Sequence, residues 1–585
     1  MRTHRKPLMT LLLMAVSICV RPASASRQPV HAQHAIAVSV HELASQAATE
    51  IMRAGGNAVD AAVATGFALA VVHPQAGNLG GGGFMLIRAA DGRTHFIDYR
   101  EKAPAAATAN MYLDAQGNVI PDASVVGYKS ISVPGSVAGL VYAEKKYGKL
   151  TLRQVMDPAI RLAQNGFRLT WEDARDFRGE TDLAKFAESR RIFQRNGDYY
   201  RQGDTFRQPE LARTLARIEA NPDDFYHGAL ARELAAFIQR GGGLIAASDL
   251  AQYEVKERVP VRGSYRGYEL ISAPPPSSGG IALIEILNIL EGYDLAKAGN
   301  RSAAAIHLTV EAFQRAYFDR AEFLGDPDFS RIPVAQLIDK KYGAAWHDSI
   351  DPGHASASST IKRPKVFSGL EQYATGSTPQ VGREPEHTTH YSIVDAEGNA
   401  VAVTTTLNDT FGSHVTAEGL GFLLNDEMDD FLSKPGVPNL YGLIQGPANA
   451  IGPLKRPLSA MTPAIVLNNG KLFLVLGSPG GARIITTVAN ILMGVVDYGM
   501  NIQESVNALR FHHQWMPDQV SVEQGFSPDT VKSLERMGHK VETGETVAGE
   551  WTPSWSDGEC IAIDQKTGER LGASDYRNNG KAVGY

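Results

Sequence analysis

One threonine stands where cutting the chain could create a nucleophile. Thr388 opens the strand-like run TTHYSIV directly after a stretch from Asp351 to His387 that is rich in Ser, Thr, Pro, Gly and charge and has no apolar periodicity. Such a stretch reads as a flexible linker. If the His387–Thr388 bond is cut, Thr388 gains an α-amino group whose ordinary pKa of about 7.7 to 8.0 suits a base near neutrality. One residue then supplies both the hydroxyl nucleophile and its base. The same pattern also fits a strand threonine with no chemistry. The other polar clusters are weaker on their own: DEMDDF (Asp426 to Phe431) reads as a solvated turn, and His512-His513 cannot easily bring two ligands to one ion from a regular element. No GxSxG elbow occurs. NLGGGG (Asn78 to Gly83) precedes a strand-like FMLIR, whereas a phosphate loop follows a strand and opens a helix, so these glycines predict close backbone packing.

The elements that must position Thr388 are legible around it. Two strand-like runs, HTTHYSIV and AVAVTTTLN, flank the turn DAEGN. Pairing Val394 with Ala400 across that turn places Thr388 opposite Thr406, near Asn408, and a slip of one residue would move the partner to Leu407 or Thr405. Upstream, Val38 to Val72 is Ala-rich and helical in pattern with a break at Gly55-Gly56-Asn57, and residues 150 to 350 alternate helical segments with Pro and Gly punctuation. The strand KLFLVLGSPGG predicts a turn into a helix beginning near Ala482.

The chain has 585 residues, 57 Lys+Arg, 63 Asp+Glu and 43% hydrophobic residues. This balance excludes a disordered chain and a polycation built for nucleic acid. Residues 1–25 carry Arg2, Arg5 and Lys6, then an apolar run from Leu8 to Val20 and Ala23-Ser24-Ala25, the pattern of a secretory signal peptide cut after Ala25. The run is too short for a membrane span, and Ile18 before Cys19 is too bulky for a lipoprotein signal. Export is expected, to a periplasm or outside the cell. Loss of the signal removes four basic residues and takes the formal charge from −6 to −10. Cys560 is then the single thiol, expected as a small buried hydrophobe.

The strings TTHYSIVDAEGNAVAVTTTLN, FLLNDEMDDF, KRPLSAMTP and LGSPGGARIITT, with DYREKAP (Asp98 to Pro104), RFHHQW and GASDYR, resemble the γ-glutamyltransferase (γ-glutamyltranspeptidase) family of N-terminal nucleophile hydrolases over essentially the whole mature chain. The resemblance implies an α+β fold, the four-layer αββα sandwich, made as a precursor and self-cleaved into a large subunit (26–387) and a small subunit (388–585) that stay interlocked. It implies that Thr388 cleaves the precursor and then takes a γ-glutamyl group from glutathione or another γ-glutamyl amide. The group passes to water or to an amino acid or dipeptide, with no metal or organic cofactor. By the same resemblance Thr406 assists the nucleophile, and Gly480 and Gly481 supply oxyanion-hole N–H groups. Arg100 and Ser459 hold the donor's α-carboxylate, Asp430 with Asn408 and Glu427 holds its α-ammonium, and Tyr441 lies in a lid loop, Ser433 to Gly446.

One departure bears on substrate. Many relatives read PLSSM where this chain reads PLSAM, so Ala460 offers no hydroxyl to the carboxylate. Losing one hydrogen bond to a charged group is worth about 1.5 to 3 kcal/mol, which predicts weaker donor binding unless another group compensates. The rival readings are an acylase on the same scaffold, such as a cephalosporin acylase, and an inactive exported binding protein. Asp430 and Arg100 weigh against the first, because an acyl chain without an amino group leaves Asp430 unpaired. The intact Thr388, Thr406, Gly480 and Gly481 weigh against the second.

Overall fold

The computed structural model describes residues 28–585 apart from Asn196, 368–369, 371–387, Glu545, 548–549 and 552–554. The expected signal peptide, most of the expected linker and His387 lie outside the described residues. Two seven-stranded sheets, antiparallel throughout, form the centre. In one, the strands run in the order Lys581–Gly584, Ile36–Ser39, Thr389–Val394, Ala400–Thr406, Gly82–Arg88, Thr94–Tyr99 and Lys256–Arg258. In the other the order is Val30–Ala32, Arg570–Ser574, Glu559–Ile563, Lys471–Leu476, Ala464–Asn468, Tyr268–Ser272 and Val261–Tyr265.

Alternation along each strand sorts side chains between layers. Ala400 and Ala402 join Ile465 and Leu467 in the core between the sheets, whereas Val401 and Val403 pack outward under the helices Glu42–Arg53 and Ala58–Val72. On the far side Ala464 and Val466 face Gly279–Leu290, Ala303–Phe323 and Arg483–Val496. Helix, sheet, sheet, helix is the four-layer αββα arrangement. Both faces of both sheets are covered, so their strands read as near-continuous apolar runs.

The hairpin register is the expected one, with Val394 opposite Ala400 and Thr389 opposite Thr405. The glycine run does pack closely: a Cβ on Gly81 would lie 2.1 Å from the Thr406 carbonyl oxygen, so only glycine lets this segment reach the end of the hairpin. Cys560 is buried and free, and burial pushes its thiol up to about 12. Val38, expected within a helical stretch, instead belongs to the strand Ile36–Ser39, whose side chains are all buried and which lies second from the edge of the sheet. The first part of the expected linker is tied down. Ser358 donates to the Trp515 carbonyl at 2.6 Å, and Arg363 is ion-paired with Asp319 and Glu322.

Between the sheets His390 is fully buried beside Thr404 and Ser392, 2.9 and 3.1 Å away. Burial pulls its imidazole pKa down to about 3. Below about pH 6.5 the unfolded chain takes up a proton that the folded chain refuses, so this residue withdraws stability as the pH falls from 6.5 toward 3. The loss between pH 7 and pH 5 comes to about 2 kcal/mol. His390→Gln is expected to lose correspondingly less over that interval when urea midpoints are compared.

Candidate active site

Thr388 immediately precedes the strand Thr389–Val394 and is 8% exposed; its Oγ1 donates to Thr406 Oγ1 at 3.2 Å. Thr406 ends the neighbouring strand, and its Oγ1 also accepts from the Asn408 backbone N–H at 2.9 Å. Asn408 has φ 83°, a left-handed conformation that asparagine tolerates better than most residues. That bend returns the Asn408 N–H to the Thr406 hydroxyl. Opposite, the strand Lys471–Leu476 runs into the helix Arg483–Val496 through Gly480 and Gly481, with φ 120° and 51°. The N–H groups of a helix's first turn have no partner within the helix and carry its positive end.

Thr388 opens into a narrow cavity whose wall includes Thr406, Asn408, Gly481, Arg100, Glu427, Asp430, Ser459 and Tyr441. Gly480 is not in the lining, and a Cβ there would strike Ser556 Oγ at 1.9 Å. Tyr441 is held in the wall: its hydroxyl donates to the Asn408 carbonyl at 2.5 Å, and a Cβ on Gly481 would lie 2.4 Å from its ring. The loop carrying Tyr441 is braced by Asn439, which donates to Asp430 Oδ1 at 3.2 Å, and by Gln445, which donates to the Asp430 carbonyl at 2.8 Å.

The charged groups are already engaged with one another. Arg100, fully buried after the strand Thr94–Tyr99, is ion-paired with both Glu427 and Asp430 and reaches Glu101 at 3.5 Å. Its remaining donors face the carbonyls of Pro457 and Leu458 at 3.3 and 3.5 Å. All five N–H groups of the guanidinium therefore have an acceptor. Burial opposes the charge on Arg100, but the three acids outweigh it and raise its pKa. Burial also raises Glu101, to about 7, and Glu427 well above the usual carboxylate range, against the pull of Arg100.

The profile of the family described as Gamma-glutamyltranspeptidase matches residues 44–585. The chain belongs to the gamma-glutamyltranspeptidase family. It is 49% identical over 553 residues to the glutathione hydrolase proenzyme of Escherichia coli (strain K12), covering 94% of this chain and 91% of the relative. It is 48% identical over 578 residues to that of Pseudomonas sp. (strain A14), covering 96% of each. The crystal structure of cephalosporin acylase from Bacillus halodurans superposes with a TM-score of 0.82 at 26% identity, over 98% of this chain and 99% of that one.

For this gamma-glutamyltranspeptidase family member, the wall also holds Arg320, Ala460, Leu443, Met461 and Ile484. Arg320 has no sequence signal of its own: it is one of two arginines in the helix Ala303–Phe323 and lies in none of the motifs above. His512 and His513 stay out of the wall. His512 lies 2.8 Å from both Thr486 Oγ1 and Gln514 Oε1, and burial lowers its pKa, which fits a structural role. Among the described residues one group has metal-ligand spacing: His307, Glu311 and His539. His307 precedes Arg320 by thirteen helical residues, about 20 Å of rise, and Glu311 is already paired with Arg315 at 2.7 Å.

Proposed function

We propose that the chain is an exported, self-processing γ-glutamyltransferase and glutathione hydrolase, cut between His387 and Thr388 into a large and a small subunit. The observation that carries this reading is Thr388 bonded to Thr406 in the wall of a cavity that the Arg100–Asp430 pair also lines. In the precursor, the Thr388 hydroxyl attacks the His387 carbonyl and displaces the peptide nitrogen to form an ester. Water then opens that ester, leaving a carboxylate on His387 and a free amine on Thr388. In turnover, the amine takes the hydroxyl proton as the oxygen adds to the γ-carbonyl. The developing oxyanion lies toward Gly480 and Gly481. Collapse expels the leaving amine, which takes the proton, and water or an acceptor amine then attacks the ester and restores Thr388. Tyr441 over the cavity limits water at the ester stage, which favours transfer.

A γ-glutamyl donor carries both an α-carboxylate and an α-ammonium, and the wall already contains the matching pair. The donor's carboxylate exchanges onto Arg100 beside Ser459, and its ammonium onto Asp430 near Asn408 and Glu427. One internal ion pair is thus replaced by two. This sharpens the case against an acylase, because Asp430 starts out paired with Arg100 and a donor without an amino group strips it of that partner. A glutaryl chain would pull Arg100 from Asp430 and offer that buried carboxylate no ammonium in return. Export rests on the N-terminal pattern, and no helix among the described residues is long and apolar enough to cross a membrane.

The purified full chain is expected to run as two fragments, the smaller beginning at Thr388 by N-terminal sequencing. It should release glutamate from glutathione and favour a γ-glutamyl anilide over the glutaryl anilide by about a hundredfold or more in kcat/KM, as expected when a buried polar group loses its partner. A single uncut chain, or equal rates on the two anilides, overturns the reading.

A further inference from the structure

Of the two cations in the wall, Arg100 and Arg320, Arg320 is the one with an unmatched donor. It projects from the helix Ala303–Phe323, is 2% exposed, and lines the same cavity as Thr388, Ser459 and Ala460. Its Nε donates to Ser278 Oγ at 2.9 Å, while its Nη1 is buried with no hydrogen-bond partner among the described residues. A buried guanidinium keeps its charge and carries five donors in a planar fork shaped for a carboxylate, so leaving one arm unmatched in the interior is costly. Asp430, the acid that acts on it through space, is already committed to Arg100. Arg100 presents the opposite situation, with every donor satisfied by the protein. The carboxylate of an incoming donor therefore meets one cation that must first give up a partner and one that need not.

We propose that Arg320 is a second substrate-holding arginine, taking the α-carboxylate of the donor through its unpaired arm beside Ala460. This rests on the γ-glutamyl reading above and adds a residue to it. It also accounts for the alanine: a charged donor on Arg320 replaces the hydroxyl missing from PLSAM. The Nε bond to Ser278 fixes the fork, because the Ser278 hydroxyl itself donates to the Ser459 carbonyl at 2.6 Å. The arginine is thereby locked to the same loop that presents Ser459 and Ala460.

The test uses two anilide donors, γ-glutamyl and 4-aminobutyryl, the second keeping the amine and lacking the carboxylate. Arg320→Gln is expected to raise KM for the γ-glutamyl anilide about ten- to hundredfold, the loss of one charged hydrogen bond. On the 4-aminobutyryl anilide the change in kcat/KM should stay within about threefold. An arginine that only braces the Ser278–Ser459 contact would damage both donors alike, and that result, or no change on either, overturns the proposal. If Arg320→Gln does not fold or cut itself, Arg320→Lys is measured in the same way, with the same selective loss expected at smaller size. A crystal structure of the unaltered enzyme with a carboxylate-bearing inhibitor gives a direct reading: a carboxylate more than about 4 Å from Arg320 is beyond ion-pair reach and overturns it. Failure of the unaltered enzyme on every γ-glutamyl donor would instead refute the functional reading beneath it.

Discussion

Thr388→Ala is expected to leave the chain in one piece and to lower γ-glutamyl transfer by at least about ten thousandfold, the scale at which removal of a nucleophile acts. The two effects share one atom. On the proposed function, Thr388 Oγ1 would open the His387–Thr388 bond, and the amine released by that cut would be the base that later activates the same hydroxyl. Folding should be nearly indifferent. Thr406 Oγ1 keeps its bond from the Asn408 backbone N–H, so the variant loses one hydroxyl contact at 3.2 Å, worth about 1 kcal/mol. A denaturing gel, an anilide assay and a urea curve on the same preparation separate the possibilities. One band with a near-native midpoint is the expected outcome. Two bands, the smaller beginning at residue 388, would remove Thr388 from the cleavage chemistry. Thr388→Ser should restore both bands, because it keeps an oxygen within reach of Thr406.

The surroundings of Thr388 were legible for a local reason. The five residues of DAEGN fix the hairpin register, and that register alone brings Thr388 to Thr406 across the sheet. The glycine turn into the helix Arg483–Val496 was equally local, since strand, glycines and helix follow one another along the chain. The ion pairing of Arg100 with Asp430 was not legible. The two residues are 330 positions apart, and in the family pattern each charge is assigned to a substrate group, which hides that the two groups can satisfy each other. Arg320 escaped for a related reason: an arginine in a helix has a snorkelling, solvent-facing reading as its ordinary expectation, and only the packing of that helix against the sheet puts it in the cavity. Val38 failed at a boundary, where an Ala- and Val-rich stretch passes from strand to helix without a marker before His41, which caps the helix Glu42–Arg53 through its ring nitrogen.

Arg100→Gln is expected to be the most destabilising single change in the wall. It removes the cation shared by Glu101, Glu427 and Asp430, and stripping one partner from a buried ion pair costs about 3 to 5 kcal/mol. Donor binding should fall with it, because neither half of the exchange between Arg100 and Asp430 can then occur. The pH dependence distinguishes electrostatic loss from simple misfit. Burial already holds Glu101 at about 7 and Glu427 well above its ordinary range, and without Arg100 both carboxyls favour the protonated form more strongly. A carboxyl whose folded pKa is raised binds more proton in the folded state than in the unfolded one, so it costs stability as the pH rises and returns it as the pH falls. The deficit of Arg100→Gln relative to the unaltered chain should therefore narrow as the pH is lowered from 8 through 7 to 5, read from urea midpoints. Adding Asp430→Asn should recover part of the stability, because it removes one of the stranded charges, so the double variant falls well short of the summed single losses. Activity should not return with it, since a neutral amide in place of the Asp430 carboxylate cannot hold an ammonium as the charged group does. A deficit that stays constant with pH, together with additive single losses, would mean that Arg100 acts by shape alone.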